Sequence, residues 1–184
     1  MAEGAIERLR RLLLDRSVRR GDFVLASGQR SSYYIDCRLT TMSAEGQGLI
    51  GNLGWRAVRD TGWRPRAVGG LTMGADPVAY AVAAASFGTE LVMDAFSVRK
   101  EAKTHGTGRV IEGCFFGGDD VVIVEDVITT GGSAQRAIAA VEAAGGRVLG
   151  VLAVVDREEG GRAALEEQGR EVVALITAAQ LGLK

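Results

Sequence analysis

The sequence predicts an α/β fold in which a central, mostly parallel sheet is flanked by helices on both faces. The chain has 184 residues, 47% of them hydrophobic and 24% charged, which fits one globular domain with a sizeable core. Strand-like and helix-like segments alternate along most of its length, as βαβ units require. The β-branched run at residues 121–124 has the continuous apolar character of a strand buried on both faces.

The N-terminal third predicts a helix, a pair of short strands and a second helix. Residues 2–16 carry apolar side chains at helical spacing, which indicates an amphipathic helix. Residues 23–25 and 33–37 are strand-like and are separated by a Ser27-Gly28 turn. Ser43 can cap a helix that runs through Val58.

The remaining elements follow in alternation. Strands are expected at residues 66–70, 90–97, 110–111, 121–124, 148–155 and 171–176, and helices at 77–86, 134–144 and 163–168. Pro77 suits the first turn of the helix at 77–86. Gly145-Gly146 ends the helix at 134–144. The pattern therefore predicts parallel strands joined by helical crossovers.

Charge and cysteine content limit the class of protein. The formal net charge of −1 argues against a protein that grips nucleic acid through its overall field. Cys37 and Cys114 lack metal-ligand spacing and suggest reduced thiols. The sequence shows neither a signal-peptide pattern nor an apolar run of membrane-spanning length. We therefore expect a cytoplasmic protein that binds neither nucleic acid nor membrane.

The run VVIVEDVITTGGS, residues 121–133, has the features of a ligand site. Glu125 and Asp126 follow the buried run, and carboxylates at the carboxyl end of a parallel strand suit the two hydroxyls of a sugar diol. TTGGS before a helix supplies free backbone N–H groups and a positive dipole end, which suit a phosphate. Together they describe a site for a ribose 5-phosphate. The alternative is a solvated strand end and an ordinary turn, but two adjacent acids there are costly unless something binds them.

Two further segments suit a departing diphosphate. GGLTMGADP, residues 69–77, is a glycine-rich turn whose backbone N–H groups could meet phosphate oxygens, or simply a tight strand-to-helix connection. RKEAKTHGTGR, residues 99–109, contains several cations and the single acid Glu101, with Gly106 and Gly108 as candidate hinges. It is either a solvated loop or a mobile basic lid that brings positive charge to a leaving group.

Two more features indicate a pocket for a base. Asp156-Arg157 closes the strand after the central βαβ unit, so it should neighbour the central motif, and the guanidinium can bind a planar carboxylate through two hydrogen bonds. Its alternative is a surface ion pair. Tyr33-Tyr34 could close over a flat ring, although core packing is the simpler interpretation of these tyrosines.

Five segments in order resemble the orotate phosphoribosyltransferases, a branch of the type I phosphoribosyltransferase family. They are FVLASGQRSSYYID, GGLTMGADP, SVRKEAKTHGTG, VVIVEDVITTGGS and VVDREEGG. The resemblance implies the type I phosphoribosyltransferase fold, with a small hood built largely from the N-terminal segment. It also implies one phosphoribosyltransferase domain over residues 1–184, with the hood mainly at 1–40 plus part of the C-terminus and a mobile lid at 99–109.

The resemblance further implies an activity. Such an enzyme transfers the 5-phosphoribosyl group from phosphoribosyl pyrophosphate (PRPP) to orotate, giving orotidine 5′-monophosphate and pyrophosphate in de novo pyrimidine (UMP) biosynthesis. It uses Mg²⁺, which is expected to be held through PRPP or pyrophosphate and water and not directly by protein ligands. The family forms a homodimer in which the lid reaches the neighbouring site, so each site is shared between two chains.

By the same resemblance, individual residues take roles. Lys103 is the catalytic position. PRPP contacts fall on Arg99, Lys100, Lys103, His105, Glu125, Asp126, Val127, Ile128, Thr129, Thr130, Gly131, Gly132 and Ser133, and on Thr72 and Met73 at the pyrophosphate turn. Orotate contacts fall on Thr129, Arg157, Tyr34 and Ile35.

The sequence departs from the family at Ala26 and Met73, where relatives often carry lysine. This shifts more of the charge burden onto the lid and Mg²⁺. One alternative is a purine phosphoribosyltransferase of the same fold, although Arg157 favours an acidic pyrimidine. A second alternative is a PRPP-sensing regulator that binds nucleic acid, which lacks support because the chain has neither an added DNA-binding domain nor a basic surface.

Overall fold

The computed structural model describes residues 2–24, 30–101 and 110–184. Its elements in chain order are α1 (Ala2–Arg16), β1 (Val18–Val24), β2 (Arg30–Ile35), α2 (Arg38–Thr41), α3 (Ala44–Asp60), β3 (Ala67–Leu71), α4 (Ala75–Ser86), β4 (Asp94–Val98), β5 (Ile111–Gly113), β6 (Asp120–Ile128), α5 (Gly132–Ala143), β7 (Arg147–Asp156), α6 (Gly161–Glu166) and β8 (Val172–Thr177).

A six-stranded sheet in the order β5-β4-β3-β6-β7-β8 forms the centre of the molecule. All neighbouring pairs are parallel except β4 and β5, which are antiparallel. β6 lies between β3 and β7, and residues 121–124 of this strand are fully buried. The predicted mostly parallel sheet is therefore confirmed, with the run singled out in the sequence at its middle.

The helices cover both faces of this sheet, as expected. Val122 and Val124 face a core shared with α3 and α4, whereas Val121 and Ile123 face a second core shared with α5. This division follows from the alternation of side chains along a strand. Among the described residues, no helix has the length and apolarity needed to cross a bilayer.

β1 and β2 form a separate two-stranded antiparallel sheet that pairs Val18 with Ile35. Arg20 Nη2 donates to the carbonyl of Gly182 at 3.0 Å, so this hairpin contacts the C-terminal segment. β1 begins five residues earlier than the strand predicted at 23–25. The division into one domain with a hood and a lid stays a prediction.

The strand predicted at residues 90–97 begins only at Asp94. Leu91 and Met93 are buried like strand residues, but their N–H groups are taken by side-chain oxygens: Thr89 Oγ1 accepts from Leu91 at 3.2 Å, and Ser86 Oγ accepts from Met93 at 2.9 Å. The short helix α2 was not predicted. The N-cap of α3 is confirmed, since Ser43 Oγ accepts the N–H of Gly46 at 3.1 Å.

β6 is longer than predicted, which changes where the acidic pair lies. It continues to Ile128 because β7 pairs with it as far as Ile128 opposite Asp156. Glu125 and Asp126 are therefore part of the strand and do not follow it, although they still lie in its carboxyl-terminal half.

Candidate functional site

The carboxyl ends of β3 and β6, the end of β2 and the start of α5 surround two adjoining cavities. The larger, of about 350 Å³, is lined by Tyr34, Ile35, Asp36, Cys37, Arg38, Leu71, Thr72, Met73, Gly74, Lys100, Glu125, Asp126, Val127 and Ser133. The smaller, of about 220 Å³, is lined by Glu125, Val127, Ile128, Thr129, Thr130, Gly131, Gly132, Ser133 and Ala134. Because they share Glu125, Val127 and Ser133, we treat them as one cleft and call it the β6 cleft.

Two carboxyl groups lie at the base of the β6 cleft. Glu125 is 5% exposed, and its Oε1 is a buried atom without a hydrogen-bond partner among the described residues. Burial, and secondly the neighbouring Asp126, raise the pKa of Glu125 to about 8. Burial also raises the pKa of Asp126, although its Oδ1 accepts the N–H of Val127 at 2.9 Å. Ionisation of this pair is therefore favoured by a ligand that supplies donors or positive charge.

The turn after β6 has the geometry expected of a phosphate site. Gly131 adopts φ of 80°, a left-handed conformation that favours glycine, and α5 begins at the next residue. The turn rests on the start of α6: Gly161 N–H donates to the carbonyl of Thr129 at 3.0 Å, and a Cβ at Gly161 would lie 2.5 Å from that oxygen. The smaller cavity thus lies at the N-terminus of a 12-residue helix, where anions are favoured.

The turn after β3 reaches the cleft but offers fewer backbone donors than predicted. Thr72 N–H donates to the carbonyl of Val98 at 2.8 Å, so this one backbone donor is already used, whereas Thr72 itself still lines the larger cavity. Thr72 continues the pairing of β3 with β4, which a single sequence does not reveal. Gly74 packs against the acidic pair, since a Cβ there would lie 2.6 Å from Asp126 Oδ1.

Only the start of the predicted basic lid falls among the described residues. Lys100 lines the larger cavity. Arg99 Nε donates to Glu112 Oε1 at 3.2 Å and its N–H to the carbonyl of Val110 at 2.8 Å. Lys103 and His105 lie outside the described residues, as does Ala26.

Arg157 is buried, so the alternative of a surface ion pair is wrong. Its guanidinium lies 4.7 Å from the centroid of the Tyr33 ring, and Nη2 contacts Glu159 Oε1 at 2.7 Å. Its N–H donates to the carbonyl of Ile128 at 3.0 Å, which places it beside the turn after β6. Tyr33 is buried, as the core-packing interpretation expects, whereas Tyr34 is 40% exposed and lines the cleft with Ile35.

Sequence reasoning missed three residues that line the cleft directly after β2. Arg38 donates to both carboxylate oxygens of Asp36, through Nε at 2.8 Å and Nη2 at 3.0 Å. Cys37 is buried, and burial raises the pKa of its thiol well above the usual range. The sequence signal that could have found these three residues is the pair of charged side chains, Asp36 and Arg38, directly after β2.

Comparison with known proteins identifies the family of this chain. The phosphoribosyl transferase domain model matches residues 44–168. Orotate phosphoribosyltransferase of Aquifex aeolicus is 44% identical over 178 residues, covering 95% of this chain and 96% of the relative. The enzyme of that name from Mycobacterium avium is 46% identical over 183 residues, covering 100% of this chain and 99% of the relative.

A solved structure extends the similarity to three dimensions. The Mycobacterium tuberculosis orotate phosphoribosyltransferase in complex with PRPP has a TM-score of 0.82 and 39% identity, covering 97% of this chain and 99% of that one. The chain therefore belongs to the phosphoribosyltransferase family, which confirms the predicted type I fold. Within that family, its near full-length matches place it among the orotate phosphoribosyltransferases.

Proposed function

We propose that this chain is an enzyme that transfers the 5-phosphoribosyl group of PRPP to orotate, yielding orotidine 5′-monophosphate and pyrophosphate in de novo pyrimidine biosynthesis. The observation that carries the proposal is the β6 cleft, in which the buried Glu125 and the half-buried Asp126 adjoin a glycine turn at a helix N-terminus. A similar structure binds PRPP. The chain is accordingly a glycosyltransferase of the pentosyl class.

In this proposal PRPP spans both parts of the cleft. Glu125 and Asp126 accept hydrogen bonds from the ribose hydroxyls, and residues 127–133 surround the 5′-phosphate. The size of the smaller cavity, about 220 Å³, and its position at the start of α5 support the phosphate assignment. Thr72, Met73 and Lys100 lie around the larger cavity and are assigned to the diphosphate.

Orotate is assigned to the side of the cleft formed by β2 and the loop after β7. Tyr34 and Ile35 line the larger cavity, and Thr129 lines the smaller one. Arg157 contributes the positive charge that an acidic pyrimidine requires, because a guanidinium binds a carboxylate through parallel hydrogen bonds. This charge favours orotate over an uncharged purine base.

The reaction is a nucleophilic substitution at the anomeric carbon of the ribose. A ring nitrogen of orotate forms the new bond and gives up its proton, while the bond to the diphosphate oxygen breaks through an oxocarbenium-like transition state. The proton goes to the departing diphosphate or to solvent. The protein contributes positioning and charge stabilisation, not a covalent nucleophile. Arg99, Lys100, Lys103 and His105 are assigned to the leaving diphosphate, with Lys103 as the catalytic residue.

In this proposal Mg²⁺ binds to PRPP and not directly to the protein. Within the described ranges, no group of three or more His, Cys, Asp or Glu side chains is arranged to hold a metal ion. Glu125 and Asp126 nevertheless provide carboxylate oxygens, which suit this cation, beside the place assigned to the ribose. The bound metal would neutralise charge on the diphosphate, and the two carboxylates would bind it through the sugar hydroxyls or water.

The assembly proposed with this function is a homodimer, in which residues 99–109 of one chain act as a lid over the neighbouring site. We further propose that the chain works in the cytoplasm, with orotate and PRPP as its small-molecule partners and without nucleic acid or membrane. The family matches support the substrates, and the lid and hood follow from the resemblance in sequence.

The proposal is tested by following the loss of orotate absorbance after addition of PRPP and Mg²⁺. We expect turnover only when all three are present, and no comparable product with adenine, guanine or hypoxanthine as acceptor. Turnover with a purine base in place of orotate would contradict the substrate assignment. Failure to release pyrophosphate with any base would contradict the enzymatic function.

A further inference from the structure

Glu159 is a carboxylate beside the proposed orotate pocket that the reaction leaves without a role. Glu158 adopts φ of 56°, and its N–H donates to Asp156 Oδ1 at 2.7 Å. This turn lets Glu159 reach back to Arg157, whose Nη2 lies 2.7 Å from Glu159 Oε1. The backbone conformation of the loop after β7 therefore favours this ion pair, which differs from a chance contact between two surface side chains.

The hairpin holds the same guanidinium from a second direction. The Tyr33 hydroxyl donates to Glu159 Oε1 at 3.3 Å, and the Arg157 guanidinium carbon lies 4.7 Å from the centroid of the Tyr33 ring. Arg157 Nη2 also lies 3.4 Å from Ser31 Oγ, to which it donates. The aromatic ring restrains the guanidinium on one side, and Glu159 restrains one of its edges.

Two buried polar atoms of this cluster make no hydrogen bond among the described residues. They are Arg157 Nε and Glu159 Oε2. An unpaired buried donor is costly, and it is expected where a ligand supplies the acceptor. A guanidinium has five N–H donors, so it can serve a ligand carboxylate while Glu159 still holds Nη2.

We infer that Glu159 is a positioning residue, which holds the Arg157 guanidinium against Tyr33 so that the N–H groups not used by Glu159 and Ser31 can bind the carboxylate of the acceptor base. The inference rests on the proposed function, in which Arg157 binds the carboxylate of orotate. Glu159 takes no part in the bond changes. Its role requires an acceptor oxygen at this place, which a glutamine amide also provides.

The test compares Glu159→Ala and Glu159→Gln in steady-state kinetics with orotate and PRPP. We expect Glu159→Ala to raise KM for orotate by about tenfold, because a poorly placed guanidinium loses a charge-assisted hydrogen bond. The kcat and the KM for PRPP should stay within about twofold, and Glu159→Gln should restore KM to within about threefold. Glu167→Gln, an exposed position at the end of α6, is the matched control.

A double variant asks whether Glu159 acts through Arg157. In an Arg157→Ala background, adding Glu159→Ala should change kcat/KM for orotate by less than about twofold. An equal loss in both backgrounds would overturn the inference, as would an unchanged orotate KM in Glu159→Ala. A lower orotate KM in both Glu159 variants would identify a competing carboxylate and would also overturn it.

The remaining outcomes separate this inference from the proposed function. A Glu159→Ala loss shared by kcat and the KM for PRPP would assign Glu159 a purely structural role and would overturn the positioning role. Absence of orotate consumption by the wild-type protein would overturn the proposed function itself. Wild-type turnover with the wrong response of Glu159→Ala would overturn only the inference.

Discussion

The Glu125 carboxyl lies in surroundings that oppose its ionisation. It is 5% exposed, and Asp126 is its neighbour in the strand. In the unfolded chain the same carboxyl has a pKa near 4.5, whereas in the fold it is raised to about 8 by burial and by Asp126. The sequence suggested this acid pair as a ligand for ribose. In the fold, burial and Asp126 favour the protonated form of Glu125.

This shift predicts how stability depends on pH. Between pH 5 and 8 the unfolded chain has ionised Glu125 while the folded protein keeps the proton, so folding takes up a proton. The free energy of unfolding should therefore fall as pH rises, by up to about 1.4 kcal/mol per pH unit, and should flatten above the folded pKa. Glu125→Gln removes this contribution, so the variant should gain stability relative to wild type across this range.

The measurement is urea unfolding of both proteins at fixed protein concentration from pH 5 to 9. Parallel pH curves for wild type and Glu125→Gln would contradict the assignment. The same variant should lose PRPP affinity, because an amide is a weaker acceptor for ribose hydroxyls than a carboxylate.

Lys103 is predicted to act on the leaving diphosphate more than on the bound substrate. Lys103→Ala should lower kcat by about 10² to 10³, because charge stabilisation in the transition state is lost, and should weaken PRPP binding much less. Steady-state kinetics and calorimetric titration of PRPP measure the two effects. Arg64→Ala removes an exposed cation and serves as control. Arg64 lies just before the amino-terminal end of β3, whereas the cleft lies at the carboxyl-terminal end of this strand. Unchanged turnover in Lys103→Ala would remove this role.

At the scale of elements, α3 depends on its N-cap. Ser43 Oγ accepts the N–H of Gly46 and donates to the carbonyl of Thr40 at 2.8 Å, which links α3 to the unpredicted α2. Ser43→Ala should lower the free energy of unfolding by about 1 kcal/mol, and Ser43→Thr, which keeps a hydroxyl that both accepts and donates, should recover most of it. Urea unfolding at constant pH measures both, and equal losses in the two variants would argue against a capping role.

The turn after β6 depends on the first residue of α6 for its shape. A Cβ at Gly161 would lie 2.5 Å from the carbonyl oxygen of Thr129 and 2.6 Å from the nitrogen of Gly131. Gly161→Ala should therefore displace the turn and weaken PRPP binding by about tenfold or more, as a misplaced site does. Gly48→Ala makes the same substitution in α3, where nothing lies within 4 Å. Titration calorimetry giving equal PRPP affinities for both variants would contradict this dependence.

At the scale of the whole molecule, local patterns predicted most of the order of elements and several of the residues that line the β6 cleft. The apolar run, acid pair and glycine turn are contiguous in sequence. A ligand site at residues 121–133 could therefore be predicted without tertiary information. The cap at Ser43 is equally local. These features needed only spacing and residue chemistry.

The details that sequence analysis missed depend on distant partners. β6 continues to Ile128 because β7 pairs with it, and Thr72 N–H is taken by Val98 in β4. Arg157 is buried because Tyr33, 124 positions earlier in the chain, covers its guanidinium. Such contacts arise only when the fold brings the hairpin to the carboxyl edge of the sheet.

The central claim is that Glu125 and Asp126 bind a sugar while the adjoining turn binds its phosphate. The most direct measurement is a crystal structure of the protein with PRPP and Mg²⁺. We predict that the ribose hydroxyls lie within hydrogen-bond distance of both carboxylates and that the 5′-phosphate lies over residues 127–133. A PRPP molecule bound anywhere else on the chain would contradict the account.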